Sequence, residues 1–248
     1  MSTFTIFLLG HIIGDFYLQQ GHMSEMKKTS YSWLLLHGFV YTLCMVAAML
    51  ALRWFGGVTY FHNLLWMGIF TSVFHLVIDF DKKITKLEHT KWGFVIDQAT
   101  HIFVIFLAWL LFGRGLSVGG HMYTYARHIA TILGLLCIVR PVGRLLESGS
   151  IWDLSIENSK EQIGSDKTKD LQKNASRLIG YLERIIIFFL LFNGQYIATA
   201  LVIAAKFIVK YPEIKISENK MQANHYIIDT FLNLTAVIAA VVLVTLIS

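Results

Sequence analysis

The sequence is poor in charge and in cysteine, and each scarcity excludes a class of protein. Only 15% of its 248 residues are charged, whereas 55% are hydrophobic; soluble domains carry about 25% charged residues. The charges cluster between long apolar runs, which indicates a multi-spanning membrane protein. The two cysteines, Cys44 and Cys137, lie inside apolar runs. We interpret them as small buried side chains, not as a disulfide or a metal site.

Several catalytic motifs are also missing. The sequence has no H-E-x-x-H, which argues against a zincin-type intramembrane protease, and it has neither a G-x-S-x-G elbow nor a Walker motif. The net charge of +5 could point to nucleic acid. In a membrane chain, however, excess Lys and Arg marks cytoplasmic loops, so we expect no nucleic-acid partner.

The apolar runs predict an all-α, polytopic transmembrane helix bundle of about eight spans. Their expected limits are 3–20, 32–53, 63–80, 92–113, 122–140, 177–193, 194–210 and 225–247. The first run has no preceding basic region and no small-residue cleavage site after it, so we expect it to be retained as a helix. A polar stretch, 145–176, reads as a cytoplasmic linker between a membrane core, 1–144, and a three-helix membrane segment, 177–248.

The basic residues of the loops alternate from one side of the predicted membrane to the other. Four loops (21–31, 81–91, 140–177 and 210–224) carry 16 Lys and Arg, whereas the remaining loops carry 2. By the positive-inside rule, these four loops are cytoplasmic and both termini lie outside.

Histidines and aspartates recur four residues apart in the first, third and fourth spans. Residues at this spacing lie on one face of a helix, and ionisable side chains at membrane depth usually face the bundle interior. The predicted orientation puts all of them in the cytoplasmic half, within roughly one or two helical turns. We therefore predict one shared site, formed by His11, Asp15, His37, His75, Asp79, Asp97 and His101.

Four imidazoles and three carboxylates form a donor set that suits zinc, with manganese or iron as alternatives. One zinc ion needs only three or four ligands. The set therefore fits either two ions bridged by a carboxylate, or one ion whose ligands are oriented by the other groups. A bound ion would activate a water molecule for nucleophilic attack. A proton or ion relay and purely structural polar packing are the other interpretations.

The runs GHIIGDFYLQQ, LLLHGFVYT, FHLVIDFDKK and VIDQATHIFV resemble a bacterial integral-membrane family called domain of unknown function 3307. The resemblance covers about residues 7–105. The resemblance implies a location in the bacterial cytoplasmic membrane. The family motif also includes Gln19 and Gln98, and we expect these two residues to contact substrate. The His/Asp-rich spans also resemble, more distantly, membrane-bound metal-dependent hydrolases.

In the second half, Glu183 and Lys206 are expected at similar depth and predict an ion pair. The alternative is that Arg184 and Lys206 hold an anionic headgroup. His225 and Asp229 repeat the four-residue spacing, and their membership of the site is left open.

These features predict a membrane-embedded metal-dependent hydrolase acting on a lipid, a lipid-linked molecule or a membrane peptide near the cytoplasmic side. One of Asp15, Asp79 and Asp97 would be the general base. The alternatives are a divalent-metal or proton transporter, and a non-catalytic scaffold or sensor stabilised by a metal. Helices 1 to 4 offer few polar residues towards the outer face, which favours the enzyme over a conduit.

Overall fold

The structure, a computed structural model, describes residues 3–19, 21–85, 92–147, 166–216 and 220–247. Throughout these residues the regular elements are helices, and this part of the chain contains no strand. The predicted all-α class is therefore confirmed.

Ten α-helices follow one another along the described residues. They are α1 (Thr3–Ile12), α2 (Gly21–Thr29), α3 (Tyr31–Trp54), α4 (Phe61–Thr85), α5 (Gly93–Ala108), α6 (Gly120–Thr124), α7 (Ala126–Glu147), α8 (Asp166–Phe192), α9 (Tyr196–Ile216) and α10 (Lys220–Ile247). A π-helical turn extends α1 over Ile13–Tyr17, and another extends α5 over Trp109–Gly113.

Five segments of the described chain are long and apolar enough to cross a membrane, as expected for a membrane protein. They are Tyr31–Trp54, Phe61–Thr85, Gly93–Gly113, Ala126–Leu146 and Tyr226–Ile247. Two shorter apolar helices occupy Thr3–Tyr17 and Tyr196–Val209. α8 is not among the five membrane-spanning segments because Arg177, Glu183 and Arg184 interrupt its apolar half. The count of eight spans thus stays a prediction.

The surfaces of these helices are apolar, which suits contact with lipid chains. Leu35 on α3 is 60% exposed, Phe39 is 61% exposed, and Phe103 on α5 is 60% exposed. A water-soluble protein rarely displays so many large apolar side chains together. α3 has 24 residues, about 36 Å at 1.5 Å per residue, which exceeds the ~30 Å of a bilayer core.

The chain divides into two compact units, and the first of these extends to Leu136. In this unit α1 packs against α3, α3 against α4, and α4 against α5. Gly10 and Gly14 make the contact between α1 and α3 possible. A Cβ on Gly14 would lie 3.2 Å from the Tyr41 ring, and a Cβ on Gly10 would lie 3.2 Å from Met45. These two small residues let the helix backbones approach closely.

An apolar core fills one end of the first unit and leaves the other end to polar residues. On α1 and α4 the residues of this core precede the histidine, whereas on α3 and α5 they follow it. The core includes Phe7, Met45, Leu52, Leu64, Met67 and Ile105. The histidines and aspartates therefore occupy the opposite end of the same helix group.

The sequence predicted a loop over 21–31, but the structure has α2 there, packed against α3. The segment is polar, so its hydropathy gave no sign of a helix; its structure depends on tertiary packing.

The second unit extends from Cys137 to Leu246. α8 and α9 form the predicted hairpin, joined at Asn193–Gly194, where Gly194 has a φ of +71°. α8 begins at Asp166 and not at 177, so the last part of the predicted linker is helical. Residues 148–165 of that linker lie outside the described part of the chain.

Candidate metal centre

The amino-terminal motif forms one wall of the site through a change of helix type. α1 carries His11 near its end, and the π-helical turn that follows carries Asp15. A π-turn closes i→i+5 hydrogen bonds and often marks a functional site. Here the turn contains Asp15, whose Oδ1 lies 3.2 Å from Nε2 of His37 on α3.

Imidazole nitrogens and carboxylate oxygens converge at His37. Its Nε2 lies 3.1 Å from Nε2 of His75 on α4 and 3.4 Å from Oδ2 of Asp79. The same Asp79 oxygen lies 3.8 Å from Nε2 of His75. His37 and His75 are 0% and 1% exposed, so no solvent separates these atoms.

These separations match the spacing of ligands around a small ion. A tetrahedral zinc site with bonds of 2.0–2.1 Å places its ligand atoms about 3.3 Å apart. The three distances from Nε2 of His37 run from 3.1 to 3.4 Å. Hydrogen bonding alone accounts for this cluster poorly, because each neutral imidazole has a single N–H to donate.

His101 on α5 has the tautomer of a metal ligand. Its Nδ1 lies 2.8 Å from the backbone carbonyl of Asp97, which can only accept a hydrogen bond, so Nδ1 carries the proton. Nε2 therefore keeps its lone pair, and it is buried without a hydrogen-bond partner among the described residues. This second hydrogen bond is typical of histidines that bind metals.

Other buried atoms of the cluster also lack partners in the described part of the chain. They are both ring nitrogens of His11, Nδ1 of His37, Nδ1 of His75 and Oδ1 of Asp97. His11 stacks on His101, with ring centroids 5.5 Å apart. Buried polar atoms normally have partners, and their absence calls for an explanation such as an ion.

Two overlapping groups of residues could hold a metal ion. One is Asp15, His37 and His75, and the other is His75, Asp79 and His101; within each group the ligand atoms lie within 4.8 Å of one another. His75 belongs to both groups. Its ring stacks on Tyr41 with centroids 3.5 Å apart and planes only 4° apart, which fixes its orientation.

Two lysines neutralise two of the three carboxylates. Nζ of Lys27, on α2, donates to Oδ2 of Asp79 at 2.9 Å. Nζ of Lys82, near the end of α4, donates to Oδ2 of Asp97 at 2.7 Å. The aspartate side chains are only 3% and 4% exposed, so both are buried ion pairs.

Two glutamines orient the carboxylates. Nε2 of Gln98 donates to Oδ2 of Asp15 and to Oδ2 of Asp97, each at 3.1 Å. With its amide nitrogen facing acceptors, Gln19 donates to the backbone carbonyl and to Oδ1 of Asp15 at 3.1 Å, and its oxygen accepts from Ser24. Both glutamines thus hold carboxylates of the cluster, and their contact with substrate stays a prediction.

The structure brings all seven predicted His and Asp residues into one buried cluster, whereas Arg184 and Lys206 belong to the second unit. There Lys206 forms the predicted ion pair with Glu183, with Nζ and Oε2 2.6 Å apart. Arg184 donates to Asn233 at 2.7 Å and to the Val139 carbonyl at 3.2 Å. The side chain of His225 lies outside the described part of the chain.

Sequence reasoning missed three residues of the cluster: Lys27, Lys82 and Tyr41. The two lysines were counted only as cytoplasmic loop charges. Lys82 follows Asp79 by three residues on α4 and Tyr41 follows His37 by four on α3. Helical spacing from the histidines and aspartates was therefore a usable signal for both of them. Lys27 offered no such signal.

Comparison with known protein families identifies a match over the first half of the chain. The family model described as protein of unknown function (DUF3307) matches residues 3–129. No curated protein and no solved structure matches the chain. The family match includes every member of the buried cluster.

Proposed function

The chain belongs to the DUF3307 family, and on that premise we propose that its first unit is a membrane-embedded, metal-dependent hydrolase. The ion would be a divalent transition metal, zinc first, with manganese or iron as alternatives. Its substrate would be a lipid, a lipid-linked molecule or a membrane peptide, reached near the cytoplasmic side of the bacterial inner membrane. This orientation follows the positive-inside rule, which also puts both termini outside.

One observation carries the proposal: nitrogen and oxygen atoms from three helices converge at the spacing of a tetrahedral ion. Nε2 of His37 lies 3.1–3.4 Å from atoms of His75, Asp15 and Asp79. His37, His75 and one of the two aspartates would hold the ion. Three protein ligands are the usual number in catalytic zinc sites.

Five residues of the cluster belong to the ligand groups, whereas His11 and Asp97 belong to neither. Oδ1 of Asp97 has no hydrogen-bond partner among the described residues. Lys82 and Gln98 hold its other oxygen. This arrangement favours Asp97 as the general base, a role that the sequence left open among three carboxylates.

The bound ion would supply an activated water molecule. Asp97 would accept one proton of a water molecule that attacks the electrophilic centre of the substrate. It would return that proton to the leaving group as the bond to that group breaks, and would so end the cycle as a carboxylate.

A proton relay is the second candidate, because hydrogen bonds connect the polar residues in series. Lys82 contacts Asp97, and Gln98 joins Asp97 to Asp15. Asp15 in turn contacts His37. The apolar core at the other end of the same helices argues against a continuous path across the membrane.

The test is turnover by the purified protein in liposomes of bacterial phospholipid, with a zinc-sensitive dye enclosed. We expect zinc-dependent conversion of a membrane component, followed by mass spectrometry of the lipids. Asp97→Asn should slow the conversion by about 100-fold or more. Asp81→Asn, which changes an exposed carboxylate two residues beyond Asp79 on α4, should leave it unchanged. Zinc entry into the lumen with an unaltered lipid pool would overturn the hydrolase in favour of transport.

A further inference from the structure

The charges of the cluster do not balance. Asp15, Asp79 and Asp97 contribute three negative charges, Lys27 and Lys82 contribute two positive charges, and neutral imidazoles contribute none. With the imidazoles counted as neutral, a divalent ion would change the net charge from about −1 to about +1. A positive charge at membrane depth is stabilised by an anionic partner, so the loaded centre favours anion binding.

The two lysines are more exposed than the groups they contact. The side chains of Lys27 and Lys82 are 13% and 19% exposed, whereas those of Asp79 and Asp97 are 3% and 4% exposed. A molecule that approaches the cluster therefore meets ammonium groups before it meets carboxylates. Such a rim attracts anions and repels cations.

Metal binding also leaves Lys27 in need of an acceptor. Its ammonium donates to Oδ2 of Asp79, the same oxygen that faces His37 at 3.4 Å. An ion held by that oxygen would repel the ammonium and compete for the lone pairs. The ammonium would then be available to bind an anion supplied from outside the cluster.

We propose that the substrate of this centre carries a phosphate group, and that Lys27 and Lys82 hold its oxygens while the ion binds a third. Phosphate suits two ammonium groups and an ion better than a carboxylate does, because it offers an acceptor oxygen to each of the three cationic partners and a carboxylate has only two oxygens. Lysine is a common phosphate partner in proteins. This inference rests on the proposed function and narrows its substrate to a phosphate ester, either a lipid headgroup or a soluble phosphate.

Binding of radiolabelled inorganic phosphate to zinc-loaded protein in phosphatidylcholine nanodiscs tests the inference. We expect one saturable phosphate per chain, with binding lost when zinc is removed. Lys27→Met and Lys82→Met should each weaken phosphate binding by about tenfold or more while the protein retains zinc. Lys27→Arg and Lys82→Arg should recover part of the affinity, which guards against misfolding of the methionine variants.

Lys83→Met is the matched control. Lys83 is adjacent to Lys82 on α4, but its ammonium lies 3.8 Å above the Tyr31 ring and not in the cluster. This variant should bind phosphate as the wild type does. Equal losses in Lys82→Met and Lys83→Met would indicate general surface electrostatics and would overturn the specific site.

Nanodiscs with phosphatidic acid distinguish the two sources of phosphate. Displacement of the radiolabel by phosphatidic acid identifies a lipid headgroup, whereas binding of inorganic phosphate without displacement identifies a soluble phosphate. Both results support the phosphate site. Zinc-loaded protein that binds no phosphate in either form would overturn this inference alone, whereas protein that binds no zinc would overturn the proposed function together with it.

Discussion

Replacing Lys27 by methionine should strengthen metal binding and lower the stability of the metal-free protein. The Lys27 ammonium donates to Oδ2 of Asp79 at 2.9 Å, and that oxygen is one of the atoms that converge on His37. The ammonium thus occupies the oxygen that an ion needs. Methionine retains much of the apolar stem and removes only the competing charge.

The free energy of the hydrogen bond to the buried carboxylate determines how much the zinc affinity should change. A hydrogen bond to a charged group contributes about 1.5–3 kcal/mol, and each ~1.4 kcal/mol changes an equilibrium constant tenfold. An ion that no longer has to displace this bond should bind roughly 10–100-fold more tightly. Without metal, Asp79 would be a buried carboxylate without its ammonium partner. Removing one partner of a buried ion pair destabilises the folded protein by about 3–5 kcal/mol.

A zinc titration against a chromophoric chelator, with the protein in detergent, measures the dissociation constant. Thermal unfolding with and without zinc measures stability in parallel. We expect a lower dissociation constant, a lower midpoint in chelator and a larger rise in midpoint on adding zinc than in the wild type. Lys83→Met removes an ammonium that lies over the Tyr31 ring, so it should leave the zinc dissociation constant and the zinc-induced rise in midpoint unchanged. Weaker or unchanged zinc binding in Lys27→Met would refute the idea that the ammonium and the ion share Asp79.

Further substitutions test other parts of the structure. Gln98→Leu removes both hydrogen bonds that align two carboxylates and should weaken zinc binding by about 10–100-fold in the same titration. Gly14→Leu should separate α1 from α3 and lower both zinc content and the unfolding midpoint, because even a Cβ there would lie 3.2 Å from an aromatic ring. Gly115→Leu, which has open space at that position, should change neither. Arg184→Met should lower the unfolding midpoint through loss of the bond to Asn233 and leave zinc content unchanged.

The sequence was informative about the site because membrane depth and helical spacing restrict polar residues strongly. The four-residue spacing of His75 and Asp79, combined with loop charges, predicted a common depth for residues on four helices. The structure does bring these residues together. Hydropathy also predicted the longer helices, with the largest errors at their ends, such as the start of α8 at Asp166.

Features that depend on tertiary contacts or on local backbone hydrogen bonding were not predictable in this way. The π-turn that carries Asp15 leaves the apolar pattern unchanged. α2 is polar, so no periodicity identified it as a helix or placed Lys27 beside Asp79. The sequence shows Gln98 as a polar residue of the motif, but it does not show the two carboxylates to which Gln98 donates.

The metal content of the purified protein tests directly whether the cluster of histidines and aspartates binds a metal ion. The protein is purified without chelators, loaded with zinc, freed of excess ion and analysed by inductively coupled plasma mass spectrometry beside His75→Ala and His128→Ala. His75 belongs to both ligand groups, whereas His128 is exposed and contacts Tyr125. We expect stoichiometric metal in the wild type and in His128→Ala, and a large loss in His75→Ala. Wild-type protein without stoichiometric metal, or His75→Ala with undiminished content, would contradict it.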